Sequence, residues 1–518
     1  MNKQYDVIVI GAGNGGLMAA VKTAAAGYST LVIEKNNVAG GCATSFRRGR
    51  FEFELALHEL CNVGNEDCQG AIYKLFKEAG TKTQWIYENN LYRVICEGEN
   101  GFDAIFKGGS KEEFCRSIEE AVPGSYESVK RLFEVSENCM AALDYMDRKN
   151  GKVNKLFFLA KFPDFIKASC HTVNEIMEEL KVPKKAAAII GAYWIYLGIP
   201  TDELSGMHFL NMINCYVRMG AAMIPDRSHG LSMSLEQAVR NLGGEFAFNT
   251  EVTEILYDAS GAACGVTAGG HNIYAKKIIA NITPHMAYAL SKSEYVPKWE
   301  RKLANARKLG LSFVTAYIGL NASAQELGIK DYSVIFLKDS DTRMQYENLD
   351  KGYAYFVNCL NITIPDCTPE GTSMLFITIP LQGDDVPETT DEFNYHKYKN
   401  DFVYSILRDY EKRMNLDIIS HIEEIAIAAK PTFARFLGTP AGAVYGYAVS
   451  DWDAILQRNL SFDRDFSVKN LFYCGGHGVN GDGFSSAYSS GNSAGKKVIN
   501  SLREDEEKKN GEGRISNS

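Results

Sequence analysis

Three glycines and one acid carry the clearest chemical signal in the chain. Gly11, Gly13 and Gly16 stand in Gly-x-Gly-x-x-Gly order, and Glu34 follows about 20 residues later. This spacing suits a dinucleotide. Gly11 permits a tight turn, Gly13 lets a pyrophosphate approach the backbone, and Gly16 lets a helix pack closely on a strand. A diphosphate at such a loop meets the free amides and positive dipole end of the helix. Glu34 is placed to accept hydrogen bonds from ribose hydroxyls and would repel a 2′-phosphate, which argues against NADP. Asn14 within the loop and Lys35 beside the acid complete this group of candidate cofactor-binding residues.

The elements that must position these residues are legible around them. The apolar run 7–10 predicts a buried parallel strand, 17–26 has helical composition, Gly27 breaks it, and 29–33 predicts a second strand ending at Glu34. Directly after it, Gly40 and Gly41 allow the backbone to pass close to a bound cofactor, with Thr44, Arg47 or Arg48 in reach of its phosphates. The alternative is a simple turn before a hairpin. A second glycine loop closes the sequence. Residues 470–474 predict a strand, the loop contains Gly475, Gly476, Gly481 and Asp482, and a helix follows from Ser485 with Ala487, Gly491, Ala494 and Gly495 on one face. The N-terminus of that helix can face the pyrimidine edge of a flavin, where negative charge develops on reduction. A plain NAD dehydrogenase has no use for this second site, so the expected cofactor is FAD.

Between the two loops, residues 111–207 predict mainly helix, rich in Phe, Tyr, Leu and Met. The stretch 152–169 is apolar and partly basic, suited either to packing on its own domain or to lying on a membrane surface. The run 186–200 is the longest uncharged apolar segment, either core or the wall of an apolar pocket, and falls short of the roughly 20 residues needed to span a bilayer. Near 225 the chain returns to the nucleotide side with a helix over 231–242, capped near Ser228, and strands over 245–248, 250–257, 265–267 and 272–281. Strands over 311–320, 353–360 and 373–379 predict the mixed or antiparallel floor of a second domain.

The fold class is therefore α/β: an FAD-binding Rossmann-type, glutathione reductase-like domain with an interleaved α+β substrate-binding domain. The expected division is 1–85, 211–290 and 431–502 for the first and 86–210 with 291–430 for the second, leaving 503–518 as a disordered tail. A length of 518 residues requires at least two domains. The net charge of −9 and the absence of a basic block disfavour a nucleic-acid partner. Twelve cysteines without a Cys-x-x-Cys pair or a zinc-like Cys/His cluster suit free thiols in a reducing compartment, and no metal site is expected. These features point to a cytoplasmic protein, with membrane association open through the 152–169 stretch.

Assembled, these residues resemble the phytoene desaturase, carotenoid isomerase and retinol saturase family of FAD enzymes. The resemblance runs from Tyr5 to about Leu502. It rests on the first glycine loop, the Gly40-Gly41 extension, the stretch from Asn249 to Ile255, and the run from Arg435 to Gly446, which is similar to the Gly-x-Pro-x-Gly-x-x-Tyr-Gly stretch of the saturase and isomerase branch. It implies FAD, an elongated apolar substrate tunnel, redox chemistry at carbon–carbon double bonds, and a backbone contact from Val252 to the adenine. The terminal loop departs from the proline-containing loop of bacterial phytoene desaturases. Candidates for acid, base or substrate anchor are His58, Glu59, His229, Tyr445 and His477, with Arg227 a candidate carboxylate anchor. The leading expectation is desaturation, saturation or isomerisation of a long polyene or unsaturated lipid, with the electron donor or acceptor unspecified. The alternatives are a flavin amine oxidase-like enzyme and a non-catalytic prenyl- or lipid-binding protein of the same fold.

Overall fold

The computed structural model describes residues 4–98, 101–149, 153–382, 392–449, 453, 455–478, 481 and 483–515. Strand Gln4–Ile10 lies near the middle of a seven-stranded sheet, with Thr30–Ile33 parallel on one side and His271–Ala280 parallel on the other. Residues 7–10 are all buried, because helices cover one face and packed side chains the other, so the strand reads as a continuous apolar run. Glu245–Ala247 extends the sheet beyond Thr30–Ile33, and the late strand Leu471–Tyr473 joins His271–Ala280 in parallel. Val252–Tyr257 and Ala263–Ala268 complete it as an antiparallel flap. Segments from the beginning, middle and end of the chain thus share one sheet and bring both glycine loops to the same edge.

Helix Asn14–Ala25 follows the first loop, and helix Phe484–Ile515 follows the second. The two cross in contact at small residues: a Cβ on Gly491 would lie 2.1 Å from the Gly15 carbonyl oxygen. That approach is open only to glycine, and it ties the terminal loop to the first one.

The second sheet runs in the order Ile422–Ala428, Ser312–Leu320, Ser373–Leu381, Ala354–Cys359, Ser333–Leu337, Tyr92–Cys96, Phe102–Phe106. It is antiparallel except between Ser333–Leu337 and Tyr92–Cys96. All nine residues of Ser312–Leu320 and of Ser373–Leu381 are buried. One face of this sheet packs on Val403, Ile406, Leu407 and Tyr410 of helix Glu392–Met414. The other turns toward the space between the sheets. Helices from Lys111–Ala121 to Gly206–Met219 form a third layer that closes this space.

Two expectations need correction. The helix near 231 begins earlier, as Arg227–Asn241 with Asp226 at its N-cap; Ser228 is instead buried and donates to Glu54 Oε1 at 2.6 Å. The expected tail at 503–518 continues the last helix as far as Ile515. Its Glu and Lys residues are good helix formers, and Lys277 Nζ, almost wholly buried, holds Asp505 at 2.7 Å.

Candidate cofactor and substrate site

A cavity of about 620 Å³ starts at the two glycine loops and ends against the second sheet. Gly11, Gly13, Asn14, Gly40 and Gly41 line its nucleotide end, together with Gly475, Gly476 and Ser485 of the terminal loop and helix. Gly40 has φ +128°, and a Cβ there would lie 2.1 Å from the Ala43 carbonyl oxygen, so this turn is reserved for glycine. Glu34, Lys35 and Val252 line the far edge. Glu34 Oε2 accepts from the Ala12 amide at 2.8 Å, and Oε1 accepts from the amide and side chain of Asn36, both at 2.9 Å. A carboxylate has about four acceptor positions, which leaves room for a ribose hydroxyl. Lys35 Nζ donates to the Arg435 carbonyl at 3.2 Å.

Several expected residues sit elsewhere. Gly16 packs behind the loop, where a Cβ would lie 2.1 Å from the Gly11 carbonyl oxygen, and so lets helix meet strand without touching the cavity. Thr44 is outside the lining, as is Gly481, which packs near Arg458 and Val449. Asp482 lies outside the described residues. His229 does not reach the cavity: its Nδ1 is hydrogen-bonded to Ser45 Oγ at 3.0 Å on the hairpin Ser45–Arg48/Phe51–Glu54. Arg227 is engaged with Glu52 at 3.1 Å and with the Cys367 carbonyl, and Arg47 also pairs with Glu52. None of these three is placed as a ligand anchor.

His58, Glu59, Tyr445 and His477 do line the cavity. His58 Nε2 is hydrogen-bonded to Thr378 Oγ1 at 3.2 Å, and burial lowers its pKa to about 4. Glu59 accepts from the Tyr193 hydroxyl at 3.1 Å, and burial raises its pKa to about 7. Tyr445 packs edge-on to Phe313 at 5.2 Å. His477 is lowered to about 3, first by burial and then by the charges of Arg458, His285 and Arg307. Beyond Glu59 the wall is aromatic and apolar: Tyr196, Met212, Tyr216, Phe313 and Phe356. Tyr196 meets Phe356 edge-on at 5.3 Å and stacks on Tyr193 at 5.0 Å.

Sequence reasoning missed Asn281, which ends strand His271–Ala280 and touches both glycine loops. Its Nδ2 donates to the Gly11 carbonyl at 3.3 Å, and its Oδ1 accepts from Cys474 Sγ at 3.6 Å. The available signal was an asparagine directly after the apolar run 278–280. It also missed His208, Asn211 and Met212, cavity residues on helix Gly206–Met219.

The neutral His477 has a pH consequence. An unfolded histidine takes up its proton near pH 6.5, whereas the folded one resists it until about pH 3. Below pH 6.5 the unfolded state therefore binds more protons, and stability falls as pH falls. A His477→Gln variant lacks this term. Its unfolding free energy, measured by urea titration, should gain on the wild type by up to about 1.4 kcal/mol per pH unit between about pH 6 and 4. A pH-independent difference would refute the assignment.

Comparison with known proteins follows the same geometry. Residues 9–79 match the family described as NAD(P)-binding Rossmann-like domain. Human all-trans-retinol 13,14-reductase is 24% identical over 482 residues, covering 86% of this chain and 77% of that protein. The chloroplastic prolycopene isomerase of Daucus carota is 24% identical over 481 residues, covering 86% and 72%. The crystal structure of an oxidoreductase from Methanosarcina mazei superposes with a TM-score of 0.62 at 15% identity, covering 95% of this chain and 99% of that one, which shows the shared fold.

Proposed function

We propose that this chain, a protein of the phytoene desaturase- and retinol saturase-like family, is an FAD-dependent oxidoreductase or isomerase acting on the carbon–carbon double bonds of a long polyene. The observation that carries this reading is one continuous cavity with two chemistries. Its nucleotide end is a glycine cradle, and its other end is built of aromatic and apolar side chains. The cradle fits FAD on a further count: Asn14 Oδ1, Thr439 Oγ1 and His477 Nδ1 are buried in cavity-lining residues without a hydrogen-bond partner among the described residues. Such groups are costly unless a ligand or water satisfies them. When bound, FAD supplies two-electron hydride chemistry. The Gly11–Asn14 amides would hold the diphosphate, and Tyr196, Phe313 and Phe356 would exclude water around a polyene lying among them. Retinoids and carotenoids, the substrates in the relatives' names, have the length and apolarity this wall would accept.

We also propose a peripheral membrane contact. Helix Lys155–Lys161 exposes Leu156, Phe157 and Leu159 between Lys155 and Lys161, while only Phe158 turns inward. Leu156 is 81% exposed. An apolar tip flanked by lysines suits an anionic membrane surface, from which a greasy substrate would enter. Among the described residues no helix is long and apolar enough to cross a membrane.

The test is direct. The purified protein should show a flavin spectrum and release FAD on denaturation. Under anaerobic conditions it should change the double bonds of a retinoid or carotenoid presented in phosphatidylserine-containing vesicles. Vesicle sedimentation should weaken in Leu156→Glu. In air, peroxide production from amines without polyene conversion would favour an amine oxidase, and a colourless protein that retains prenyl lipid would favour a carrier.

A further inference from the structure

A second carboxyl, Glu88, stands near Glu59 just outside the cavity lining. Leu60 and Tyr87 both pair with Ala222, from opposite sides, so that segments near 60, 87 and 222 form a small three-stranded patch. The Leu60 amide donates to the Ala222 carbonyl at 2.9 Å, and the Glu88 amide to the Ala221 carbonyl at 3.1 Å. Side chains alternate along a strand, so Glu59, one residue before Leu60, and Glu88, one residue after Tyr87, project from the same face of this patch. Both reach buried space. Among the described residues, both Glu88 carboxyl oxygens lack a hydrogen-bond partner, and Glu59 is met only by the hydroxyls of Tyr193 and Tyr196.

Two buried, under-satisfied carboxyls on one face cannot both ionise at modest cost. Burial raises the Glu88 pKa well above the ordinary range, and the charge of Glu59 raises it further. The groups facing the pair are phenols and a thiol: Tyr193 and Tyr196 of the turn Ala192–Tyr196, Tyr216 of helix Gly206–Met219, Tyr92 and Tyr332 from the second sheet and its approach, and Cys61. Among the described residues no lysine or arginine acts on either carboxyl. His58, next in sequence to Glu59, is held neutral by burial and hydrogen-bonded to Thr378. Only Glu59 of the two carboxyls lines the cavity.

We propose that Glu59 and Glu88 are a proton-holding carboxyl pair, in which Glu59 exchanges a proton with the polyene and Glu88, a positioning residue behind it, keeps Glu59 supplied. This rests on the functional reading above. In hydrogen addition, one π bond breaks and two C–H bonds form. Bound, reduced FAD would supply the hydride and its two electrons for one new bond, and the other takes the proton from the Glu59 carboxyl. Glu59 is left as a carboxylate and recovers its proton through Glu88 from solvent. Hydrogen removal is the reverse, with oxidised flavin as acceptor. In a redox-neutral isomerisation, the Glu59 proton adds to one carbon, and the resulting carboxylate takes up a different proton from another carbon as the double bond shifts.

The experiment has two arms. Infrared titration of the purified, flavin-loaded protein follows the C=O stretch of protonated carboxyls between about pH 5 and 9, above the range of ordinary acids. A protonated-carboxyl signal should persist near neutral pH and shrink in both Glu59→Gln and Glu88→Gln, leaving the contribution of buried Glu54. Turnover in deuterium oxide should place solvent deuterium on the product, and Glu59→Gln should slow turnover by about 100-fold or more with flavin content and KM unchanged. Glu88→Gln should keep KM but move the midpoint of the pH–kcat profile. A signal untouched by either variant, or a Glu59→Gln enzyme as fast as wild type, overturns the proposal. A wild type that converts no polyene overturns the functional reading instead, and the infrared arm still decides whether the pair holds a proton.

Discussion

Replacing Gly13 by leucine is expected to leave a folded protein that no longer carries flavin. Gly13 is the N-cap of helix Asn14–Ala25, with φ −75° and ψ 179°, a conformation open to any residue. The helix should tolerate the exchange at a cost of about 1 kcal/mol. The space beyond the backbone is the obstacle. A Cβ at this position would lie 2.9 Å from Asn281 Nδ2 and 3.9 Å from the Gly40 carbonyl oxygen, in the gap between the two glycine turns. Leucine would extend from there into the volume assigned to the diphosphate. The loss combines overlap, at about 1–3 kcal/mol, with charge-assisted hydrogen bonds to the loop amides, at about 1.5–3 kcal/mol each. Flavin affinity should therefore fall at least about 100-fold, since about 1.4 kcal/mol is a factor of ten. Gly13→Ala should fall between wild type and Gly13→Leu. Absorbance of bound flavin against protein, with circular dichroism as the fold control, decides it. Full occupancy in a folded Gly13→Leu would show that the diphosphate lies elsewhere.

The nucleotide end was legible because local geometry dictates it. A strand buried on both faces must be apolar throughout, and a helix that starts against that strand needs Gly16 where its carbonyl neighbour is 2.1 Å from a Cβ. The same logic exposed Gly40, Gly475 and Gly491. The substrate end was only partly legible, because its residues are assembled from distant segments. Ser333–Leu337 is a short apolar run without the alternation that separates strand from buried helix, and in Ile422–Ala428 the adjacent Glu423 and Glu424 break the alternation; both escaped notice. His229 resembled a candidate because histidine types are versatile, yet its helix faces it to Ser45 on the hairpin. Glu88 carried no signal at all. Its partnership with Glu59 exists only because strand Ala222–Met223 draws residues near 60 and 87 to its two sides.

Removing the Asp453 carboxylate is expected to cost about 3–5 kcal/mol, the usual penalty for leaving a buried charge uncompensated. Asp453 Oδ2 accepts from Arg458 Nη2 at 3.0 Å and lies 3.2 Å from Arg307 Nε, an ion pair in which the N–H does not point at the oxygen. All three side chains are 4% exposed. Arg307 also reaches Asp465 at 3.1 Å, and Arg458 also donates to the Tyr447 carbonyl at 3.1 Å. In Asp453→Ala, Arg307 keeps Asp465, whereas buried Arg458 keeps only the Tyr447 and Ala448 carbonyls among the described residues. Water does not screen the guanidinium groups there, so the loss is far larger than for an exposed pair such as Lys397–Asp401. Asp453→Asn keeps an oxygen acceptor and should lose less. The effect should also reach the cofactor. Arg307 stacks over Tyr447 at 5.4 Å, Tyr447 meets His477 edge-on at 5.0 Å, and His477 belongs to the terminal glycine loop. Urea unfolding of the wild type, Asp453→Asn and Asp453→Ala should give decreasing midpoints in that order, with flavin retention falling alongside. Equal midpoints would mean that the two arginines find other partners, and flavin loss without destabilisation would mean that Asp453 acts on the loop rather than on the fold.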